Sequence, residues 1–300
     1  MNCNLNSNVK TAEIMDKETL TRREIDVIRL KDSSIYNIKR YENSLCMQYL
    51  LASKYDILDV QKLSKLTFGF YHPFVLKRAA QPFKRYDGHE KYYLDNYEDC
   101  SMEANIFDVL KTRKSTKKYE PYNISLKELY YILRYSYGIN RKESINGGVT
   151  WKFRPVPSGG GLFASELYVV TINSQIPKGL YHYSPDDNSL EVVKYGDFLK
   201  VMQEHSGADP YIDSENVSCI IFTTTFIDRL YIKYGERGYR FMLLEVGFLG
   251  QTISLLAEAL NLGSCMLGGY HDSNIEEFLG IDGQLESVQN TIVIGKRKDE

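Results

Sequence analysis

Lys233 and Tyr234 are neighbouring side chains with the chemistry to move a proton. A lysine amine becomes a general base when burial lowers its pKa, and a tyrosine hydroxyl beside it can share or stabilise the proton. On spacing alone, the more ordinary arrangement is a surface ion pair of Lys233 with Asp228 or Glu236. The residues by themselves favour that ion pair, so they mark a candidate site and leave its role open.

Four segments combine basic, hydroxyl and glycine residues in a way that suits a phosphate group. Arg and Ser side chains in a short run neutralise a phosphate and donate hydrogen bonds to it, and the amides of a Ser-Gly-Gly turn donate as well. Each segment is weak evidence by itself, because a basic run is usually a solvated face and a glycine run is usually a loop. The segments are residues 113–117, 154–161, 233–240 and 296–298.

Several familiar catalytic and metal-binding motifs are missing from the sequence. The glycine run at 159–161 lacks the Gly-Lys-Ser/Thr of a P-loop, no strand leads into GxGxxG, and no GxSxG elbow occurs. The five cysteines are widely spaced without a CxxC pair, and the histidines are scattered, so we predict neither a disulfide framework nor a metal site. We interpret His182 as a structural residue on a strand and Cys265 as a small buried thiol.

The composition is that of an ordinary globular protein. Hydrophobic residues make up 43% and charged residues 25% of the 300 residues, and the formal net charge of -2 gives no reason to expect bulk nucleic-acid or membrane binding. The first residues are polar and lack the apolar stretch of a signal peptide, and no uninterrupted apolar run reaches about 18 residues. We therefore expect a cytoplasmic protein.

The basic segment at 233–240 leads into a helix that we predict over residues 239–262. Apolar residues occupy nearly all of its sides, which is typical of a helix buried in a core or in a subunit interface. Three polar side chains, two of them carboxylates, interrupt it too often for a membrane span. Gly263 is suited to the left-handed cap that follows a helix.

The rest of the pattern predicts an α+β fold with a mixed sheet, and not a doubly wound parallel sheet. Ser125 and Glu128 form a capping box that begins a helix, and Gly138 ends it. Residues 140–148 are predicted to be a loop, and residues 184–188 a hairpin turn. The predicted strands are 167–172, 179–183, 190–193, 218–225 and 290–294; the other predicted helices are 41–55, 105–111 and 198–203, with 60–69 a helix or a strand.

An acidic, polar stretch at residues 95–99 suggests a boundary. We predict an N-terminal region, residues 1–104, that binds a peptide or a partner, and a main domain, residues 105–300. The first 25 residues have the composition of a weakly ordered terminus. Basic and aromatic residues alternate over 72–91, which could hold an extended peptide or phosphate groups, although a solvated basic loop is the more ordinary interpretation.

Taken in order, five segments resemble the SagB-type dehydrogenases, a branch of the FMN-dependent nitroreductase superfamily. RKSTKKY at 113–119 resembles the superfamily's opening R-x-S-x-[KR]-x-[FY], whose Arg, Ser and Lys grip the flavin phosphate and ribityl chain. RPVPSGGGLFASELYVV at 154–170 resembles the branch's R-x-x-PSGG followed by a Glu-x-Tyr strand. The others are the hairpin at 179–191, KYGERGYRFMLLEVGFLGQ at 233–251, and LGSCMLGGY at 262–270, which is similar to the loop over the isoalloxazine ring.

The resemblance implies a nitroreductase-like α+β sandwich that dimerises through long helices and binds two FMN at the interface. Lys233 and Tyr234 match the pair thought to deprotonate an azoline ring while a hydride leaves to the flavin N5. Phe248 stands where the branch usually has His, and Gly161 where Ala is common, so ring packing or substrate access would differ. The implied cofactor-binding residues are Arg113, Lys114, Ser115, Lys117, Pro157, Ser158, Gly159, Gly160, Gln251, Leu267, Gly268, Gly269, Lys296 and Arg297.

The function that the resemblance implies is oxidation of a ribosomally made peptide, with thiazolines and oxazolines dehydrogenated to thiazoles and oxazoles. A precursor peptide, a second copy of the chain and a cyclodehydratase or other peptide-modifying enzyme are the expected partners. Three alternatives remain open: reduction of dehydroamino acids in a lanthipeptide, a general nitro- or quinone reductase, and a flavin-free scaffold subunit of a peptide-modifying complex.

Overall fold

The computed structural model describes residues 44–55, 59–94, 97, 103–145 and 148–298. The predictions for the first 25 residues, and for the boundary at 95–99 apart from Tyr97, lie outside the described residues. Contacts divide the chain into two compact units, with the division after Ala52. This division does not coincide with the boundary proposed after residue 104, and a peptide- or partner-binding role for residues 1–104 stays a prediction. The described part of the first unit holds helix α1, Leu45–Ala52.

The second unit contains eight described helices, several of which begin where the sequence offers a cap. Ser125 and Glu128 form the expected capping box, with the Glu128 amide donating to Ser125 Oγ at 3.2 Å and the Ser125 amide donating to the Glu128 carboxylate at 2.8 Å. The helices are α2 (Asp59–Phe70), α3 (Pro73–Ala79), α4 (Ile106–Thr112), α5 (Leu126–Tyr137), α6 (Leu199–His205), α7 (Ile227–Tyr234), α8 (Arg237–Ala259) and α9 (Asp272–Leu279).

An eight-stranded sheet forms the centre of the second unit, and a separate two-stranded hairpin flanks it. The strands are β1 (Lys91–Tyr93), β2 (Tyr119–Glu120), β3 (Arg141–Ile145), β4 (Val149–Phe153), β5 (Ser165–Thr171), β6 (Gly179–Ser184), β7 (Ser189–Tyr195), β8 (Cys219–Phe226), β9 (Gly263–Leu267) and β10 (Glu286–Arg297). The order is β1-β7-β6-β5-β8-β10-β2, with β9 also on β10, and β3 pairs with β4.

Within the described ranges, the pairs between named strands are all antiparallel, and parallel pairing occurs in two isolated bridges, Ser115 with Ser264 and Ile124 with Ser174. The predicted α+β fold is confirmed. β5 and β8 are rich in β-branched and aromatic residues, which suit a buried sheet.

Side chains that alternate along the strands build two hydrophobic layers, one on each face of the sheet. On β5, Leu167 and Val169 face the layer that contains α5 and α8, whereas Tyr168 and Val170 face the layer that contains α6 and α9. A third cluster joins α2 and α3 to β4, α7 and α8. Helices therefore cover both faces of the sheet.

Two local predictions were wrong. Residues 140–148 are not a loop, because β3 and β4 pair over Arg141 to Phe153. Gly263 is not a left-handed helix cap: α8 ends at Ala259, and the positive φ (58°) belongs to Asn261. Gly263 instead lies in β9, where a Cβ atom would stand 2.5 Å from Thr116 Oγ1, so its small size permits close packing.

Among the described residues, α8 is the one helix whose length and hydropathy would fit a membrane span, and 44% of that window is buried inside the protein. Core helices meet the same criterion. Glu245, at the middle of α8, is fully buried and accepts hydrogen bonds from the Tyr137 hydroxyl at 2.9 Å and from the Ser165 hydroxyl at 2.8 Å. This satisfied carboxylate favours a helix packed within the protein.

Candidate functional site

Lys233 and Tyr234 occupy the last turn of α7, directly before a sharp change of chain direction. Gly235 ends the helix with φ of 54°, a conformation that favours glycine, and its amide donates to the Tyr231 carbonyl at 2.8 Å. Leu230, one turn earlier, is fully buried and anchors the helix in the third cluster. The helix therefore presents the pair at a fixed position.

The amine of Lys233 is surrounded by aromatic rings. Its Nζ lies 4.7 Å from the ring centroid of Phe70, 5.3 Å from that of Tyr234 and 6.0 Å from that of Tyr71. No ion pair or hydrogen bond of this amine occurs within the described residues, so the surface pairing with Asp228 or Glu236 that spacing alone favoured is wrong for that part of the chain. The Tyr234 ring packs edge-on against Phe241, at 4.9 Å between centroids.

Burial moves the two pKa values in opposite directions. It lowers the pKa of Lys233, because the charged ammonium loses hydration without gaining a carboxylate. It raises the pKa of Tyr234, and the neighbouring Tyr71 and Tyr55 hydroxyls raise this pKa further. A more readily neutral amine beside a hydroxyl that keeps its proton is an arrangement in which the amine can accept a proton.

The glycine-rich segment predicted at 159–161 lies against this pair. Gly160 has φ of 63°, and a Cβ atom built on it would stand 2.5 Å from Tyr234 Oη and 2.9 Å from Lys233 Nζ. A Cβ on Gly159 would stand 3.0 Å from the Phe241 side chain. Pro157 is exposed, and Ser158 Oγ accepts a hydrogen bond from the Phe163 amide at 2.9 Å. Two motifs that are far apart in sequence are thus brought into contact.

The basic run at 113–117 lies along β9, at a different place in the fold. The Thr116 amide donates to the Ser264 carbonyl at 2.9 Å, and Ser115 and Ser264 form an isolated bridge. Burial raises the pKa of Cys265, whereas Lys117 and a hydrogen bond with Ser115 lower it. Lys117 and Ser115 therefore lie beside this thiol. Cys265 is buried, as predicted.

The C-terminal cations reach the same edge through β10. Lys296 and Arg297 pair with Glu120 and Tyr119 of β2, directly after the basic run. Lys296 Nζ donates to the Asn261 carbonyl at 3.2 Å, and the Arg297 guanidinium is bound to the Glu258 carboxylate. Arg297 is therefore already neutralised by a carboxylate and is less available to a ligand than the sequence suggested.

We call the residues at this edge the cationic edge: Arg113, Lys114, Ser115, Lys117 and Lys296. Within the described part of the chain, none of its four cations forms an ion pair with a carboxylate. Uncompensated cations beside a hydroxyl are the donor set that a phosphate monoester requires. The residues present therefore fit the phosphate of a mononucleotide.

The remaining predicted cofactor residues lie on α8, at the end of β9 and directly after it. Gln251 is exposed on α8, and Leu267 ends β9. An added Cβ atom on Gly268 or Gly269, which follow β9, would meet nothing within 4 Å. Gly207, with φ of 73°, packs against the Gly269 backbone, and a Cβ atom built on Gly207 would stand 2.7 Å from the Gly269 carbonyl carbon. Sequence reasoning missed Gly207, since an isolated glycine carries no signal of its contact.

Sequence reasoning also missed a buried charge network on β5, β6 and β7. His182 Nδ1 lies 2.9 Å from Glu191 Oε2, and His182 Nε2 lies 3.1 Å from Glu166 Oε2; the three side chains are fully buried. Arg229 donates to Glu166 Oε1 at 2.5 Å, and Lys91 lies 2.9 Å from Glu191 Oε1. Period-two polar positions on buried strands were the available signal, and the predicted placement of His182 on a strand is confirmed.

The network continues to a third buried carboxylate, Glu286. Lys84 Nζ donates to it at 2.6 Å and to the Tyr168 hydroxyl at 2.6 Å, and Thr224 Oγ1 donates to it at 2.6 Å. Lys84 and Lys91 belong to the basic stretch 72–91, so interpreting them as solvated loop residues was wrong. Lys77 and Arg78 of the same stretch are exposed.

A cavity of about 830 Å³ borders α7. Its wall combines aromatic and aliphatic side chains with basic ones from α3, the following loop and α7. The lining residues are Phe74, Val75, Lys77, Arg78, Ala79, Gln81, Pro82, Phe83, Lys84, Leu162, Phe226, Asp228, Arg229, Ile232 and Leu285. Its size and mixed lining suit a short segment of peptide.

Known proteins match this chain over much of its length. A profile of the nitroreductase family matches residues 110–296. A protein of Methanocaldococcus jannaschii that is named as a nitroreductase is 27% identical over 186 residues, which are 60% of this chain and 86% of the relative. The microcin B17-processing protein McbC of Escherichia coli is 32% identical over 140 residues, 43% of this chain and 49% of McbC. The match thus spans about half of McbC.

Solved structures share the fold. A nitroreductase-named protein of Anabaena variabilis superposes with a TM-score of 0.66 at 25% identity, over 84% of this chain and 46% of that chain. A chain of the E. coli microcin synthetase McbBCD complex with truncated pro-MccB17 bound superposes with a TM-score of 0.53 at 20% identity, over 82% of this chain and 99% of that chain. The first match covers less than half of the longer cyanobacterial chain.

Proposed function

We propose, on the premise that this chain belongs to the nitroreductase family, that it is an FMN-dependent oxidoreductase acting on a ribosomally synthesised peptide. The reaction we propose is dehydrogenation of thiazoline or oxazoline rings to thiazoles or oxazoles. The observation that carries the proposal is the Lys233 amine, held among aromatic rings and against Gly160 with no ion-pair partner in the described residues.

The proposed cofactor is supported by the cationic edge. Its four cations and the Ser115 hydroxyl would hold the phosphate of FMN, and the open backbone at Gly268 and Gly269 leaves room for a flat ring. FMN, when bound, supplies a two-electron acceptor that dioxygen can reoxidise. A scaffold without flavin has no need of four neighbouring cations that have no carboxylate partner among the described residues.

Lys233 has the properties of the base in this reaction. Converting an azoline to an azole removes one proton and one hydride from adjacent ring atoms and leaves a double bond between them. The lysine amine would take the proton, since burial favours its neutral form. The Tyr234 hydroxyl, on the same side of Gly160, would donate a hydrogen bond to the ring or to the amine.

A peptide substrate is supported by the similarity to the microcin B17-processing protein and by the cavity beside α7. The cavity is large enough for several residues of an extended peptide. The exposed Lys77 and Arg78 in its wall would favour a segment that carries carboxylates. The relative's complex is a multi-subunit synthetase with a pro-peptide bound. We therefore also propose a cyclodehydratase or another peptide-modifying enzyme as a partner.

We further infer that the enzyme is a homodimer. Exposed apolar side chains cover neighbouring faces of α4 and α8, and a contiguous apolar surface of this kind is typical of an interface. From Phe241 to Glu258, α8 rises about 25 Å at about 1.5 Å per residue, and it separates Lys233 from the cationic edge. One FMN is shorter than that helix segment, so two protomers would contribute to each site. The apolar residues are Ile106, Phe107, Leu110, Leu243, Leu244 and Phe248.

The first experiment is an absorbance spectrum of the purified protein with mass analysis of the heat-released cofactor. Flavin bands and the FMN mass support the proposal. A colourless protein that takes up no added FMN would overturn the enzyme assignment and favour a scaffold. If NADPH is oxidised with a dehydroalanine peptide and azolines are untouched, the electrons flow in the opposite direction to the one proposed.

The second experiment is Lys233→Ala, with Lys200→Ala as the matched control because Lys200 is highly exposed on α6. We expect azole formation to fall by about 10²- to 10⁴-fold in Lys233→Ala, the range typical of a lost general base, with FMN content unchanged. Equal azole formation by both variants would show that Lys233 is not the base. Mixing Lys233→Ala with Arg113→Ala protomers should restore part of the activity if each site combines two protomers.

A further inference from the structure

The wall of the site beside Lys233 comes from a part of the chain outside the nitroreductase match. The match begins at residue 110, whereas Phe70, Leu76 and Ala80 belong to α2, α3 and the residue after α3. These three residues form the third hydrophobic cluster together with residues of the matched region. Those residues are Trp151, Leu162, Ala164, Leu230 and Met242.

Phe70 is the centre of this contact. It is only 3% exposed, and among the described residues its ring is the aromatic ring closest to Lys233 Nζ, at 4.7 Å. Tyr71 follows it, meets the Phe70 ring edge-on at 5.8 Å between centroids, and lies 6.0 Å from the same amine. A Cβ atom on Gly235, directly after the pair, would stand 3.4 Å from Leu66 of α2. The end of α2 and Tyr71 thus lie beside the amine.

Residues 53–55 hold the backbone of the same region. The Tyr55 hydroxyl donates to the Tyr234 carbonyl at 2.9 Å. Arg237 donates to the Ser53 carbonyl at 3.0 Å, and Arg240 Nε donates to Ser53 Oγ at 2.7 Å. The pair is therefore fixed by contacts to the preceding segment as well as by its own helix.

The charged groups on the elements around Lys233 have other interactions. On α7, Arg229 is bound to Glu166, and Asp228 acts electrostatically on Arg229. Glu236 accepts from the Tyr231 hydroxyl at 3.2 Å, and Arg237 lies over the Tyr55 ring. Lys65 of α2 is exposed. In the described part of the chain, Tyr71 and Tyr234 carry titratable hydroxyls on rings near the amine, and the Tyr55 hydroxyl is bound to the Tyr234 carbonyl.

We propose that Phe70 and Tyr71 are positioning residues that keep water and carboxylates away from the Lys233 amine, so that a segment outside the family domain completes the catalytic site. This rests on the proposed function only for the role of Lys233 as the base. Exposed Phe68, on the same helix as Phe70, offers a matched control because it is 85% exposed.

The test measures the amine itself. Competitive acetylation with acetic anhydride over a pH series, read by peptide mass spectrometry, gives the half-labelling pH of Lys233, with Lys65 in the same digest as an exposed reference. In the wild type we expect Lys233 to be half-labelled below the pH typical of a lysine amine in water. In Phe70→Ala we expect this pH to rise by about one unit, since hydration of the ammonium returns, and in Tyr71→Ala to rise by less. Phe68→Ala should match the wild type.

A role of Phe70 in folding alone would change labelling rates at all pH values equally and leave the half-labelling pH unchanged. Tyr71→Ala removes a 58% exposed side chain, so it remains informative if Phe70→Ala does not fold. A half-labelling pH that is unchanged in Tyr71→Ala and in folded Phe70→Ala would overturn the proposal. Failure of Lys233 as the base would appear separately, as azole formation by Lys233→Ala.

Discussion

His182 and Lys233 are two basic side chains in aromatic surroundings, and their pKa values shift in opposite directions. The His182 ring lies 5.2 Å from both the Tyr86 and Tyr168 rings, much as Lys233 Nζ lies 4.7 Å from Phe70. His182, however, contacts two buried carboxylates, which raise its pKa although burial alone would lower it. Lys233 contacts none in the described residues, and burial lowers its pKa. The carboxylates, and not the aromatic rings, decide whether a proton is kept or released.

The difference separates a structural charge from a reactive one. A buried charge with good partners is stable where it is, and removing one partner is strongly destabilising. A half-buried amine without such a partner loses its proton more readily, and this makes it a better base near neutral pH. The following predictions test this contrast, from the largest expected effect to the smallest.

Glu166→Gln should be the most destabilising change, because it leaves Arg229 and His182 buried without a carboxylate that each contacts. We expect the free energy of unfolding to fall by about 3–5 kcal/mol, the cost of breaking a buried pair. Urea denaturation followed by circular dichroism measures it. Glu204→Gln, which removes an exposed partner 4.0 Å from Lys200, should cost under about 0.5 kcal/mol. Equal losses would contradict a structural network.

The stability of the protein should depend on pH through the same network. Burial alone would raise the pKa of Glu166, but Arg229 and His182 lower it to about 2. This contribution is present above the ordinary carboxyl pKa of 4.5 and is lost as pH falls towards about 2. The raised pKa of His182 acts oppositely: its contribution is present below its ordinary value of 6.5 and is lost as pH rises through the folded value.

The melting temperature measures this dependence. Between pH 4.5 and 2, it should fall more steeply in the wild type than in Glu166→Gln, since the variant has no carboxyl to protonate at that position. An equally steep fall of the melting temperature in both proteins would show that the network does not cause the acid sensitivity.

Gly160→Ala should damage the site more than the fold. The change places a methyl 2.9 Å from Lys233 Nζ and 2.5 Å from Tyr234 Oη, at a backbone φ of 63°. We expect about 1 kcal/mol of lost stability from the backbone conformation and a loss of turnover of about tenfold or more from displacement of the pair. Gly148→Ala, at φ of 72° with nothing within 4 Å, carries the same strain without the contact. Similar turnover in both variants would refute the role of Gly160.

Tyr71→Glu should make the surroundings of Lys233 more like those of His182. A carboxylate near the amine favours the charged form, so the pH at which turnover is half-maximal should rise. Because Tyr71 is 58% exposed, we expect the ion pair to contribute about 0.2–1 kcal/mol. This energy corresponds to a shift of less than one pH unit. Tyr71→Gln, neutral and of similar length, should shift the profile less. A larger shift in Tyr71→Gln would mean that loss of the ring dominates.

Local patterns predicted much of the fold. The capping box at Ser125, the strands around 167–172 and 218–225, and the long helix after residue 237 follow from residues close in sequence. The hairpin at 141–153 was missed because residues 141–144 are mostly charged or polar and exposed, and the buried side of β4 follows only from the packing of Trp151 in the third cluster. The role of Gly263 depends on Thr116, far away in sequence, and no local pattern carries that contact.

The candidate site divides in the same way. The resemblance selected Lys233, Tyr234 and the glycine segment, and the structure brings these together; whether they bind FMN or act in catalysis stays a prediction. Phe70 and Tyr71 could not be selected, since two aromatic residues at the end of a helix look like ordinary core. Arg297, in contrast, was selected as a cofactor-binding residue, and its ion pair with Glu258 could not be predicted because it forms only when α8 and β10 pack together. A cytoplasmic location also stays a prediction.

Strand β10 has a consequence for the order of events during synthesis. Residues 286–294 pair with β8 along one side, and residues 291–297 pair with β9 and β2 along the other. Until residue 297 has left the ribosome, three earlier strands lack their neighbour, and their open edges can pair with those of other chains. A nascent chain of this protein therefore keeps unpaired strand edges at the centre of its sheet until β10 is inserted, and such edges favour aggregation.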